Sequence, residues 1–217
     1  MNIWHDIESN RITPEEFIAV VEISKGSKQK YEMDKKTGLL RLDRILYTST
    51  HYPANYGFIP HTLAEDNDPL DVLILCSESL IPMSLVTCYP IGVIIMNDNG
   101  SVDEKIIAIP ETDPNYNTYK SIHDLPQHVF DEMRHFFTVY KQLEYKNTTV
   151  DVASDRDEAI KIIVNSMESY KAWSRDAPCV RRACILLPSV LQGNCARRML
   201  NLFYHTYLFL LTKKYRL

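Results

Sequence analysis

At 217 residues, with 45% hydrophobic and 24% charged side chains, six glycines and no low-complexity run, the chain is long enough for one ordinary domain with a substantial core, and composition excludes disorder as the default. The net charge of −4 conceals an asymmetry: residues 171–217 carry nine Lys and Arg against the single acid Asp176, whereas the first 170 residues carry 15 basic and 27 acidic side chains. An acidic body argues against a polyanion-binding surface, and the abrupt change of sign marks a boundary near residue 171.

In chain order, the opening MNIWHDIESN carries charge early and lacks a basic-then-apolar leader, so no secretory signal is expected. Short strands then follow at close spacing: FIAVVEIS from Phe17, KYEMD, and LLRLDRIL after the turn at Thr37 and Gly38. YGFIP, DVLILC, LVTCYPIGVIIM and EKIIAIP continue the series. So many strands with little helix between them imply an antiparallel barrel or sandwich. Two helices come next. PQHVFDEMRHFFTVYKQLE places Val129, Met133, Phe136, Phe137 and Tyr140 on one stripe, and Ser154 with Asp157 is expected to cap a second helix bearing Ala159, Ile163, Met167 and Tyr170. The class expected is α+β, a small barrel with helices packed outside.

The stretch EDNDPLDVLIL crowds Glu65, Asp66, Asp68 and Asp71 into seven residues before turning into an apolar strand. Taken alone it is either a solvated acidic turn fixed by Pro69 or a site for a hard divalent cation. It is no EF-hand, because the fifth position is Leu70, the sixth lacks Gly and the twelfth is Ser77. NDNGSVDEK adds Asp98 and Asp103 around a hairpin turn, with Lys105 two residues on; KYE puts Lys30 and Glu32 on one strand face. Each signal is bland by itself. Together, Asp66, Asp71, Asp98 and Asp103 suit two or more Mg²⁺ ions, and Lys30, Arg44, Lys105 and Lys141 suit phosphoryl oxygens. That combination reads as a metal-phosphate site, and its chemistry as phosphoryl transfer to water.

These motifs resemble the soluble family I inorganic pyrophosphatases. EDNDPLDVL is similar to the family signature D-x-D-P-x-D-V-L, and it is flanked by VEI around Glu22, KYE, the Asp43-Arg44 pair, YPANYGFIPHT and, downstream, Asp98, Asp103, Lys105 and FFTVYK, all in order over about residues 10–170. The resemblance implies a five-stranded OB-like antiparallel barrel with flanking α-helices. It also implies Mg²⁺-dependent hydrolysis of pyrophosphate to two phosphates, with several Mg²⁺ ions, or other divalent cations, per site. By that resemblance Asp66, Asp71 and Asp103 ligate the cations that activate water, Asp71 bridging them. Asp98 and Asp103 take cation brought with the substrate, and Glu22 and Glu32 are either additional metal carboxylates or carboxylates just behind the ligands. Asp68 is the general base; Lys30, Arg44, Tyr56, Lys105, Tyr140 and Lys141 hold substrate or departing phosphate; and Tyr52 lines the site. A homo-oligomer, a hexamer for a bacterial-type chain, is implied as well. Two positions depart from bacterial relatives: Asn99 replaces an acid after Asp98, and Val139 replaces the second of two helix histidines, of which His135 remains.

Two rival functions stand against the enzyme: an OB-type oligonucleotide binder, opposed by the acidic body, and a catalytically inactive pyrophosphatase-like binding protein, opposed by the completeness of the acid and base set. No nucleic-acid partner is expected. His51, His61, His123 and His128 lack ligand spacing and read as surface or turn residues. Five cysteines without framework spacing fit reduced thiols in the cytoplasm, and Cys179, Cys184 and Cys195 offer no zinc pattern. The organisation expected is a catalytic domain over 1–171 and a C-terminal extension over 172–217. In that extension LNLFYHTYLFLL, from Leu200 to Leu211, is too short to cross a bilayer and suits packing or a membrane surface.

Overall fold

Eight strands and two helices make up the fold in the computed structural model, which describes residues 2–98, 100–146 and 148–176; the expectations for Asn99 and for the tail beyond Asp176 lie outside them. The strands are β1 (Phe17–Ile23), β2 (Gln29–Met33), β3 (Leu40–Ile45), β4 (Asn55–Phe58), β5 (Asp71–Ile74), β6 (Leu85–Asp98), β7 (Ser101–Pro110) and β8 (Thr148–Asp155). The helices are α1 (Gln127–Val139) and α2 (Arg156–Asp176).

Five strands close into a barrel. The order β1-β4-β5-β7-β6 is sealed by a β1–β6 pairing, and β8 extends the sheet along β6. The length of β6 makes this closure work: its start, from Leu85 to Cys88, pairs with β1, while Gly92 to Asp98 pairs with β8. Four of the five seams are antiparallel, as the spacing of strands suggested, and β5–β7 is parallel. At the β1–β4 seam Gly57 faces Val21, and a Cβ there would stand 1.8 Å from the Val20 carbonyl oxygen. Only glycine lets the two backbones approach that closely. The β2–β3 hairpin forms its own two-stranded sheet.

Period-two alternation sends successive residues to opposite faces, and here both faces are buried. Leu73, Ile107, Ile109, Ile94 and Met96 join Met133, Phe136, Phe137 and Tyr140 of α1 in one core cluster. Val72, Ile74, Ile106, Ala108 and Val93 join Ala159, Ile162 and Ile163 of α2 in another. The helical stripes thus pack as their spacing predicts. Two boundaries differ from it. α1 stops at Val139, with Tyr140 as its C-cap, and the expected last turn becomes a 3₁₀ turn over Gln142–Glu144. Ser154 is a strand residue paired with Val93, and the Asp155 carboxylate takes the Arg156 backbone N–H at the start of α2. Pairing with Gly92 and Val93 of β6 carries the strand through Ser154 and Asp155, where the sequence suggests a helix cap.

Candidate active site

Asp71, Asp103 and Lys105 continue the α1-side face of β5 and β7 past its apolar part. Asp71 sits two residues before Leu73, and Asp103 and Lys105 precede Ile107 at the same alternation; the parallel register sets Asp71 beside Lys105 and Leu73 beside Ile107. Lys105 is 2% exposed, so its ammonium ion has left water and needs partners. It donates to Asp71 Oδ2 at 2.7 Å, Asp103 Oδ1 at 2.8 Å and Tyr56 Oη at 3.1 Å, with the Tyr56 and Phe137 rings 5.3 and 5.4 Å from its Nζ. Burial disfavours this charge, but the Asp71 and Asp103 carboxylates outweigh burial and hold the lysine pKa well above its ordinary value. Tyr56 in turn donates its hydroxyl to Asp71 Oδ2. Burial, reinforced by Asp71 and Asp103, keeps that phenol protonated, with a pKa far above the ordinary one.

The acids outnumber this compensation. Burial raises the Asp71 pKa, Lys105 lowers it and Asp103 raises it again, leaving it above the usual carboxylate range. Asp66 is raised by burial and then by Asp103. Ala64, Asp66, Asp71 and Asp103 line one pocket beside Glu65 and Glu104. Glu22, 7% exposed, lines a neighbouring cleft of about 410 Å³ with Glu32, Asp68 and Asp71. Burial drives the Glu22 carboxyl up to about 8 even though it accepts the Met33 backbone N–H at 2.7 Å; Asp71 and Glu32 push in the same direction. The donors are all hard carboxylate oxygens on a compact surface, which fits a hard divalent cation. No three His, Cys, Asp or Glu side chains among the described residues stand as a finished metal cage, and Lys105 bridges Asp71 and Asp103.

The cationic side is built by the β2–β3 hairpin and the end of α1. Lys30 pairs with Glu32 and, at 3.4 Å, with Asp43; Arg44, beside Lys30 in the register, pairs with Asp43 and donates Nε to Glu144 Oε1 at 2.8 Å. Arg44 Nη2 is buried without a hydrogen-bond partner among the described residues. Tyr140 and Lys141 are 4% and 9% exposed, with the Lys141 Nζ 5.1 Å from the Tyr140 ring. The Tyr52 hydroxyl is raised by burial and by Tyr140, and feels Lys105, Arg44 and Asp71 as well, so residues from five segments face one region. Asp98 ends β6, paired with Ser101 and Thr148.

Residues 19–171 match the sequence profile of the inorganic pyrophosphatase family. The chain belongs to the inorganic pyrophosphatases. It is 50% identical over 170 residues to a soluble inorganic pyrophosphatase of Solanum tuberosum, covering 78% of this chain and 81% of that one. A soluble inorganic pyrophosphatase of Arabidopsis thaliana is 48% identical over the same length, covering 78% and 80%. Among solved structures, the inorganic pyrophosphatase of Thermus thermophilus superposes with a TM-score of 0.76 at 36% identity, covering 79% of this chain and 99% of that one. That of Helicobacter pylori superposes with 0.73 at 40%, covering 76% and 99%. Within this pyrophosphatase site the sequence reading gave no role to Glu144, which anchors Arg44 from 100 positions away, or to Lys35, which pairs with Asp68. Neither contact leaves a trace in local spacing.

Proposed function

We propose that this chain hydrolyses inorganic pyrophosphate to two orthophosphates with Mg²⁺ as cofactor. The observation that carries the reading is the Asp71–Lys105–Asp103–Tyr56 group at the charged end of a buried sheet face, in a chain of the inorganic pyrophosphatase family. Asp66, Asp71 and Asp103 would hold Mg²⁺, with Glu22 and Glu32 on the neighbouring cleft that Asp71 also lines and Asp98 assigned from the family resemblance. When bound, the cation supplies positive charge against the phosphoryl oxygens and acidifies water. Asp68 takes the proton of the attacking water as its oxygen forms a bond to one phosphorus. The bridging P–O bond breaks, and its electron pair leaves with the second phosphate. Lys30, Arg44, Lys105 and Lys141 neutralise the charge gathering there, and Arg44 Nη2 is a buried donor still to be satisfied. Tyr56 and Tyr140 donate from phenols, and Tyr56 is held protonated by its surroundings.

The finer assignments inherited from the resemblance belong to this proposal: a homo-oligomer, a cytoplasmic location, and a catalytic unit ending near residue 171. No helix among the described residues is long and apolar enough to cross a membrane. The deciding experiment is phosphate release from pyrophosphate. Turnover is expected with Mg²⁺ and none in excess chelator; undiminished turnover in chelator rejects the metal-dependent mechanism, and no turnover with Mg²⁺ rejects the activity.

A further inference from the structure

Lys35 has no part in the chemistry described so far, yet several contacts converge on it. Its Nζ pairs with the Asp68 carboxylate, donates to the Asn67 backbone oxygen at 3.3 Å and lies 5.6 Å from the Trp4 ring centroid. Its own backbone oxygen accepts from Asn2 Nδ2 at 2.9 Å. A lysine stem is long and flexible, and here it is held from three sides.

The same N-terminal segment grips the acidic loop. Trp4 is 3% exposed and donates Nε1 to the Thr62 oxygen at 3.0 Å. Thr62 spans the loop, donating Oγ1 to the Ile59 oxygen and accepting the Leu70 N–H at 2.9 Å. Between these anchors Ala64 donates to the Asp68 oxygen at 2.8 Å, and Asn67 takes a left-handed φ of 66°, a conformation that Asn tolerates better than most residues. The loop that carries Asp66 and Asp68 is therefore braced by residues 2–4, which precede the family-matched region 19–171.

We propose that Lys35 is a positioning residue for Asp68, held on that carboxylate by an N-terminal brace of Asn2 and Trp4. The inference rests on the reading of Asp68 as the proton acceptor. A proton acceptor must sit within hydrogen-bond reach of the water it serves, and small misplacements of such a group cost rate rather than binding. Half-exposed ion pairs add little to fold stability, so the position separates rate from stability.

The test is a set of variants assayed for phosphate release at saturating Mg²⁺ and pyrophosphate. Lys35→Gln is expected to lower kcat by about tenfold or more, within the roughly hundredfold range that misplaced groups show, with KM and Mg²⁺ dependence nearly unchanged. Lys35→Arg, which keeps the charge and reach, should recover most of the loss. In the Asp68→Asn background, Lys35→Gln should cost nothing further, because its effect passes through the missing carboxylate. The role is overturned by a wild-type kcat in Lys35→Gln, by a rise in KM alone, or by the same fractional loss in the Asp68→Asn background. An inactive wild-type chain would instead reject the pyrophosphatase reading, and this inference with it.

Discussion

The two faces of β5 and β7 both pack against a helix but are stabilised differently. On the α2 side Val72, Ile74, Ile106 and Ala108 pack against Ala159, Ile162 and Ile163, and apolar contact suffices. On the α1 side the same strands carry Asp71, Asp103 and Lys105 near their starts and Leu73, Ile107 and Ile109 further along. A buried apolar face is satisfied by shape, whereas a buried charged one needs each ion matched. On the α1 side the match is incomplete: one lysine stands among several carboxylates whose pKa values sit above the usual range. The remaining imbalance is where the proposed function puts a cation and a charged substrate.

The sharpest way to break this contrast is Lys105→Met. It leaves the partly buried Asp71 and Asp103 without their counter-ion, a smaller loss than the about 3–5 kcal/mol of a fully buried broken pair. Pyrophosphate turnover should fall by more than the roughly hundredfold typical of one lost electrostatic contact, and Mg²⁺ should restore part of the melting temperature. A variant with unchanged turnover and thermal stability would show that the triad is ornamental. Next in size, Asp68→Asn should reduce kcat by roughly a hundredfold or more, the usual worth of a general base, while Mg²⁺ affinity stays close to wild type. Equal loss of Mg²⁺ binding in calorimetry would make Asp68 a ligand instead.

Ile106→Ala probes the opposite face. Chemical denaturation should report a loss of about 2–5 kcal/mol, and the folded fraction should keep its kcat. A kcat that falls in step with stability would mean the faces are not separable.

Sequence alone reveals much of this contrast. The apolar runs of DVLILC and EKIIAIP show strands buried on both faces, and EDNDPLDVL with Asp103 and Lys105 marks the charged end. Alternation places these residues because a strand's period is fixed by its backbone. Contacts between distant segments are another matter. Arg44 meets Glu144, and Lys35 meets Asp68, through turns whose geometry no local period encodes. β8 was hidden for a related reason: Thr148–Asp155 gains strand structure from pairing with β6, and its last residues resemble a helix start.

The smallest effect expected is a pH dependence. With metal chelated, the Glu22 carboxyl at about 8 keeps its proton in the fold, while an unfolded chain loses it near the ordinary 4.5. Between these values the folded state binds more protons, so Glu22 makes stability fall as pH rises through that window. Glu22→Gln should therefore flatten the decline of melting temperature from pH 5 to pH 8 in chelator; an unaltered slope would show that Glu22 ionises normally.

That the charged end of the α1-side face is completed by a bound cation is tested most directly by calorimetric titration of Mg²⁺ into wild-type protein and Asp71→Asn. The account predicts saturable binding to the wild-type chain, at more than one site, and loss of most of that binding in Asp71→Asn. Indistinguishable titrations of the two proteins would contradict it.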